Sequence, residues 1–350
     1  MSGAVLLSVL DQSPISEGST GAQALHNSVD LARLADRLGY HRYWIAEHHG
    51  GPMLASASPE ALIGPIAAAT EGLRVGSGGV MLPHYSPLKV AETFTMLAAL
   101  FPERIDLGLG RASGTDPLTT FALQRDRRQA APDDFPDQLA ELLALLEDAI
   151  PADHPFARLA SALPGRPALP AVWLLGSSPQ SAIWAAGLGL PYAFADFINP
   201  EGAAIAGDYR RRFDRAAGRL QAPRTAVAAW VLCAEDDEQA QYLASSSRMT
   251  LTKLRQGELI PVPPPERAIQ FLSERGRPLS GDLPGRRGII GSPETVRAGI
   301  ETLAGEYGAE EVIVVTITHD HAARRRSYEL LAAAMALEPR ASGASAAAVA

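Results

Sequence analysis

Strand-like and helix-like segments alternate along nearly the whole chain, and this constrains the fold more than any other feature. Buried-strand patterns fall at residues 4–10, 42–46, 73–82, 104–109, 171–175, 191–195, 225–233 and 311–317. Helical periodicity fills the gaps at 21–38, 58–70, 86–100, 135–149, 178–187, 200–217, 236–254 and 292–305, and a last helix spans 320–336. Parallel strands require crossover connections, usually helical, so the alternation predicts a parallel sheet. Eight units favour closure into an α/β barrel of the (β/α)8 type, and 350 residues suit one such domain. The domain is expected to span 1–337, with 338–350 a disordered tail. Two stretches interrupt the series. Residues 111–134 follow the fourth strand. Residues 256–290, rich in Pro, Gly and Arg, follow the seventh and are expected to form an irregular, mobile lid.

Bulk properties narrow the function classes. The net charge of −8 argues against a nucleic-acid or anionic-membrane surface. One cysteine, Cys233, excludes an internal disulfide and a cysteine metal cluster. No apolar run has the length of a membrane helix, and Met1–Leu10 does not read as a signal peptide, so a cytoplasmic protein is expected.

The chemistry concentrates at strand ends. Trp44-Ile45-Ala46 leads into Glu47-His48-His49, which places ionisable groups at the carboxyl end of a buried strand, where barrel active sites form. Adjacent histidines on extended backbone point in opposite directions and can serve two roles. Their spacing does not fit a zinc-protease helix. Gly78-Gly79 interrupts an apolar strand, which marks either close approach by a ligand or a bulge needed for curvature. Arg111 ends the fourth strand. Ser177-Ser178-Pro179-Gln180-Ser181 opens the helix after the fifth, so free N–H groups and hydroxyls stand ready for an anion or for a simple cap. Gly108-x-Gly110-x-x-x-Gly114 lacks the dinucleotide spacing and its acidic partner, so a nicotinamide dinucleotide site is not supported.

The Glu47-His48-His49 strand end, Val75–Pro83, Arg104–Arg111, Gly176–Ser181 and Thr318-His319-Asp320-His321 together resemble the bacterial luciferase family of flavin-dependent monooxygenases, from about residue 4 to 336. Within it the chain is most similar to the luciferase-like monooxygenases of actinomycete aromatic polyketide tailoring, of the mensacarcin-pathway type. The resemblance implies a luciferase-like (β/α)8 barrel that uses reduced FMN delivered in trans by a separate flavin reductase. It implies insertion of one oxygen atom of dioxygen, through a flavin hydroperoxide, into a small organic substrate, an aromatic or polyketide-derived one, as in antibiotic biosynthesis. It makes His48 the catalytic base, and neutral-range titration of imidazole suits that role. It sets Gly78 and Gly79, joined by a cis peptide, against the flavin ring. It assigns the phosphate to Arg111, Ser178 and Ser181, with Ser177 where the luciferases carry a glutamate. It turns His49 away from the pocket toward Glu92 of a second copy in a homodimer formed through residues 58–100. Leu6, Trp44, Met81 and Trp230 are expected to line the pocket, although for Trp230 a core position is an equal reading.

Other positions stay open at this level. Asp196 and Asn199 follow the sixth strand, where Asp196 departs from the family and reads either as a flavin-edge residue or as a helix cap ahead of Pro200. His319-Asp320-His321 reads best as a helix cap at Asp320, and no metal is expected. Arg125, Arg127 and Arg128 read as solvated charges, or as partners for the acidic tail of a deazaflavin in a hydride-transfer enzyme on the same fold. A flavin-binding relative without catalysis is a further alternative.

Overall fold

The computed structural model describes residues 5–111, 117–128, 133–280 and 287–340. Nine strands form one parallel sheet: β1 (Leu6–Asp11), β2 (Arg42–Ile45), β3 (Arg74–Met81), β4 (Ile105–Gly110), β5 (Ala171–Gly176), β6 (Tyr192–Ala195), β7 (Thr225–Cys233), β8 (Gly288–Gly291) and β9 (Glu311–Val315). Among the described residues twelve α-helices accompany them: α1 (Gly21–Arg37), α2 (Pro59–Ala68), α3 (Pro87–Leu100), α4 (Pro117–Leu123), α5 (Phe135–Glu147), α6 (Ala157–Ala160), α7 (Pro179–Gly187), α8 (Ala203–Arg212), α9 (Asp237–Arg255), α10 (Pro265–Glu274), α11 (Pro293–Tyr307) and α12 (His321–Ala334). Strands β1 to β6 pair in sequence, β6 pairs with β7, β7 with β9, and β9 returns to β1. Eight strands therefore close a (β/α)8 barrel. The ninth, β8, pairs only with Trp230–Cys233 at the far end of β7, which overlaps the segment that closes the barrel at Trp230 alone.

Two layers of apolar side chains hold this arrangement. Outward residues such as Val9, Tyr43, Ile45, Leu107 and Val314 pack against the helices. Inward residues at the alternate positions, including Leu10, Trp44, Trp173 and Ile313, fill the barrel. Its floor is polar. Arg42 donates to Asp106 and Glu311, both at 2.7 Å, and its guanidinium lies 4.7 Å from the Trp173 ring centroid. Arg74 and the Trp44 indole also donate to Asp106, at 2.6 and 3.0 Å, and Ser8 donates to Glu311 at 2.5 Å. Leu6, expected in the pocket, stands at this floor end of β1 and is 38% exposed, at the opposite end of the barrel from the strand termini that bear the chemistry.

Three expectations change. Residues 256–290 are not irregular: α10 and β8 lie within them, while 281–286 fall outside the described residues. The Pro263-Pro264-Pro265 run masks the helix, because Pro264 is its N-cap and Pro265 its first residue, where a missing N–H costs nothing. Ala268, Phe271 and Leu272 then pack on Met249 of α9. The stretch after β4 likewise holds α4. Of the tail expected to be disordered, residues 338–340 are docked: Arg340 donates to Asp36 and to the Tyr40 carbonyl, both at 2.8 Å. Residues 341–350 lie outside the described residues.

The β8 insertion is tied to the barrel through Arg287, which bonds Glu306 at 2.6 Å and the Pro200 carbonyl at 3.1 Å and lies 3.7 Å from Asp196. Asp196 is fully buried and accepts from the Tyr307 hydroxyl at 2.9 Å. It therefore faces the helix layer, while Gly202 is the N-cap of α8 and the neighbours Ala195 and Phe197 line the cavity. Arg287→Met is expected to lower stability by about 1–2 kcal/mol, because Arg287 is partly solvated and its removal weakens a buried carboxylate. A urea midpoint that falls with an unchanged slope checks this.

Candidate active site

A cavity of 360 Å³ opens at the carboxyl ends of the strands. Gly78, Gly79, Gly110, Leu175, Trp44 and Met81 make its walls, and Arg111, Ser177, Ser178 and Ser181 stand at one end. Gly78 and Gly79 are joined by a cis peptide, and the register of β3 against β4 shifts between Gly78 and Val80. A Cβ on Gly78 would lie 2.5 Å from Leu10 and 2.9 Å from the Trp44 Cβ, and one on Gly108 would lie 2.2 Å from the Ser77 carbonyl. Side chains are excluded there by neighbouring chain, which leaves a flat backbone surface on this wall.

The end of β2 supplies the ionisable groups. His48 is partly exposed and its Nε2 lies 3.3 Å from the Gln12 amide nitrogen. Its backbone N–H donates to the Ser56 carbonyl and the Ser56 hydroxyl donates to the Gln12 carbonyl, which ties the loop after β2 to the end of β1. Burial, reinforced by His49, pushes the His48 imidazole down to about 4. The ring is thus neutral at physiological pH, not poised near neutrality as the sequence suggests. Unfolding restores a pKa near 6.5, so the unfolded state binds more protons below that pH. The stability His48 contributes is present above 6.5 and lost as pH falls toward 4, with a ceiling of about 3 kcal/mol. Denaturation of wild type and His48→Gln from pH 7 to 4 should show wild type losing more stability by up to that amount; parallel curves would refute it.

Glu47 is 1% exposed, and burial holds its carboxyl above the ordinary range. It accepts from His49 Nε2 at 2.8 Å and from the Met81 N–H at 2.9 Å, with Tyr85 as a further donor. His49, expected to turn away toward a second copy, meets a carboxylate of its own chain and lines a second cavity together with His48.

At the other end, α7 begins at Pro179 with Ser178 as N-cap in extended backbone, and the Ser178 hydroxyl does not bond the helix N–H groups. Ser181 donates to the Ser178 carbonyl at 2.9 Å and lies 2.9 Å from the Tyr192 hydroxyl, so its role is at least partly local. Burial raises Tyr192 to about 12, which keeps that phenol protonated. The Arg111 guanidinium sits 5.8 Å from the Trp184 ring centroid. Asn199 donates to the Ser177 carbonyl at 3.1 Å and links the loops after β5 and β6.

Remaining candidates lie elsewhere. Asp320 caps α12, accepting from Ala322 and Ala323 N–H, while His319 meets the Glu17 carbonyl and His321 meets Asp30. Arg125 pairs with Asp134 and Arg128 with Asp126, and neither lines the cavity. Gln12, Phe197 and Ile198 do line it. No short motif marks them, but their places at the ends of β1 and β6 do.

Sequence and structure comparisons place the chain among known proteins. The model for the luciferase-like monooxygenase family matches residues 5–311. N-acetyl-S-alkylcysteine monooxygenase of Bacillus subtilis is 37% identical over 95% of this chain and 98% of its own. The crystal structure of apo-MsnO8 is 43% identical over 96% of this chain and 100% of that one, with a TM-score of 0.86. The FMN complex of the oxygenating constituent of 3,6-diketocamphane monooxygenase shares the fold at 20% identity and a TM-score of 0.70. A closed parallel barrel whose catalytic end carries these residues, matched over nearly its full length, makes this chain a member of the luciferase-like monooxygenase family.

Proposed function

We propose that this protein is a monooxygenase that uses reduced FMN, supplied by a separate reductase, to place one oxygen atom of dioxygen on a small organic molecule. The observation that carries the reading is the pairing of a side-chain-free wall at Gly78–Gly79 with a cationic, hydroxyl-rich end at Arg111 and Ser178 in one cavity. A flat ring fits the first and a phosphate the second. Bound reduced FMN supplies the two electrons, so that the second oxygen atom leaves as water. The chain's own residues orient the ring, hold the phosphate and exclude water. Neutral His48 accepts a proton from the reacting centre or donates its ring N–H, and Gln12 fixes its position.

Anaerobic titration with reduced FMN, followed by mixing with oxygenated buffer, tests this. Saturable binding and flavin reoxidation at a rate distinct from free flavin are expected. Absence of binding would refute the assignment. Arg111→Met is expected to weaken reduced FMN about tenfold or more and to leave reduced riboflavin unchanged. Equal weakening of both would remove the phosphate role.

A homodimer fits the exposed face of α3, where Glu92, Met96 and Leu100 recur every four residues and Met96 and Leu100 are 51% and 69% exposed. Sedimentation of Leu100→Glu should show a monomer, and His49→Ala a weakened dimer. Unchanged association in both sinks the interface.

A further inference from the structure

A second cavity, also of 360 Å³, lies beside the first. Gln12, His48, Phe197 and Ile198 belong to both, so these residues form the partition between them. The outer walls come from α9, through Ser247, Thr250, Leu251 and Leu254, from Met53 and Leu54 after β2, and from Leu259 in the insertion. Trp230 closes one side, edge to face with Phe197 at 5.8 Å between centroids. Its indole Nε1 is buried without a hydrogen-bond partner in the protein, although a buried indole N–H ordinarily has one.

The two cavities differ chemically. The first has Arg111 at its end. Among the described residues that line the second there is no Arg, Lys, Asp or Glu, and its ionisable members are His48 and His49. Burying a carboxylate or ammonium against such walls leaves it unpaired, at a cost of several kcal/mol. The volume stands at the small end of the roughly 300–1,000 Å³ range of ligand pockets.

We infer that this second chamber is the substrate site and takes a compact, uncharged, largely apolar molecule. The inference rests on the flavin reading for the first cavity. An occupant places its oxidisable atom at the His48 partition, next to the glycine wall. The chamber therefore selects against carboxylates such as an N-acetylated S-alkylcysteine, the substrate class named for one relative.

Ligand-observed NMR on the full chain tests this with thioanisole and 2-nonanone as neutral probes and N-acetyl-S-benzylcysteine as an anionic one. Both neutral probes are expected to bind whether or not FMN is present, and the anionic thioether at least tenfold more weakly. Leu251→Trp and the more exposed Leu259→Trp should each abolish neutral-probe binding and leave the FMN dissociation constant unchanged. Displacement of the neutral probes by FMN, full binding in both tryptophan-filled variants, equal binding of the anionic probe, or no binding of either neutral probe would overturn the proposal. If FMN fails to bind while the probes behave as stated, the chamber stands and the flavin reading falls.

Discussion

Arg42→Met is expected to destabilise the protein by about 3–5 kcal/mol, the range for removing one partner of a buried ion pair. Arg42 is 1% exposed at the barrel floor and is the cation shared by Asp106 and Glu311. Without it Glu311 retains the Ser8 hydroxyl, and Asp106 must rely on Arg74 and the Trp44 indole. Methionine fills similar space but solvates neither carboxylate. Urea denaturation followed by tryptophan fluorescence should show a much lower midpoint, since Trp44 and Trp173 flank the guanidinium. Adding Glu311→Gln should recover part of the loss by removing the stranded charge. A double mutant no more stable than Arg42→Met would show that packing against the two indoles, not charge, sets the effect.

His48→Gln is expected to slow oxygen transfer by about 10²–10⁴-fold, the usual contribution of a positioned acid or base. Single-turnover formation of thioanisole sulfoxide from protein loaded with reduced FMN reads this directly. The FMN dissociation constant should stay within about threefold, because loss of one neutral hydrogen-bonding group near the ring costs about 1 kcal/mol or less. Since burial holds the free imidazole at about 4, the acid limb of kcat/KM should fall well below pH 6. A limb near 6.5 would mean that His48 is solvated in the working enzyme. Loss of FMN binding in step with turnover would make His48 a flavin-holding group.

Much of this was legible in the chain before any coordinates. The eight strands that close the barrel follow from apolar runs separated by helical periods, because each must be buried on both faces. Glu47-His48-His49, Arg111 and the Ser177–Ser181 turn could be located because they end such runs. What local pattern could not convey was direction and partnership. Asp196 follows a strand like the others, yet turns outward to Tyr307 and Arg287, and Arg287 lies 91 residues further along the chain. The proline run before α10 reads as a breaker unless the helix is already known to begin there. The depressed pKa of His48 depends on its surroundings, which come from several separate elements. The second cavity is assembled from β7, α9 and the loops after β1, β2, β6, α9 and β9, so no window of sequence contains it.

The arrangement of β7 has a consequence for how such a protein can diversify. Its first residues, Thr225–Ala228, pair with β6, its middle, Ala226–Trp230, with β9, and its end, Trp230–Cys233, with β8. Closure of the barrel and attachment of the insertion thus use different hydrogen bonds of one strand. The insertion can be lengthened, shortened or replaced by recombination without reopening the cylinder, and with it changes the outer wall that carries Leu259. His48 and Gln12 stand instead at the ends of β2 and β1, strands that pair with neither β7 nor β8. Selection can act on what is recognised while leaving how oxygen is handled untouched.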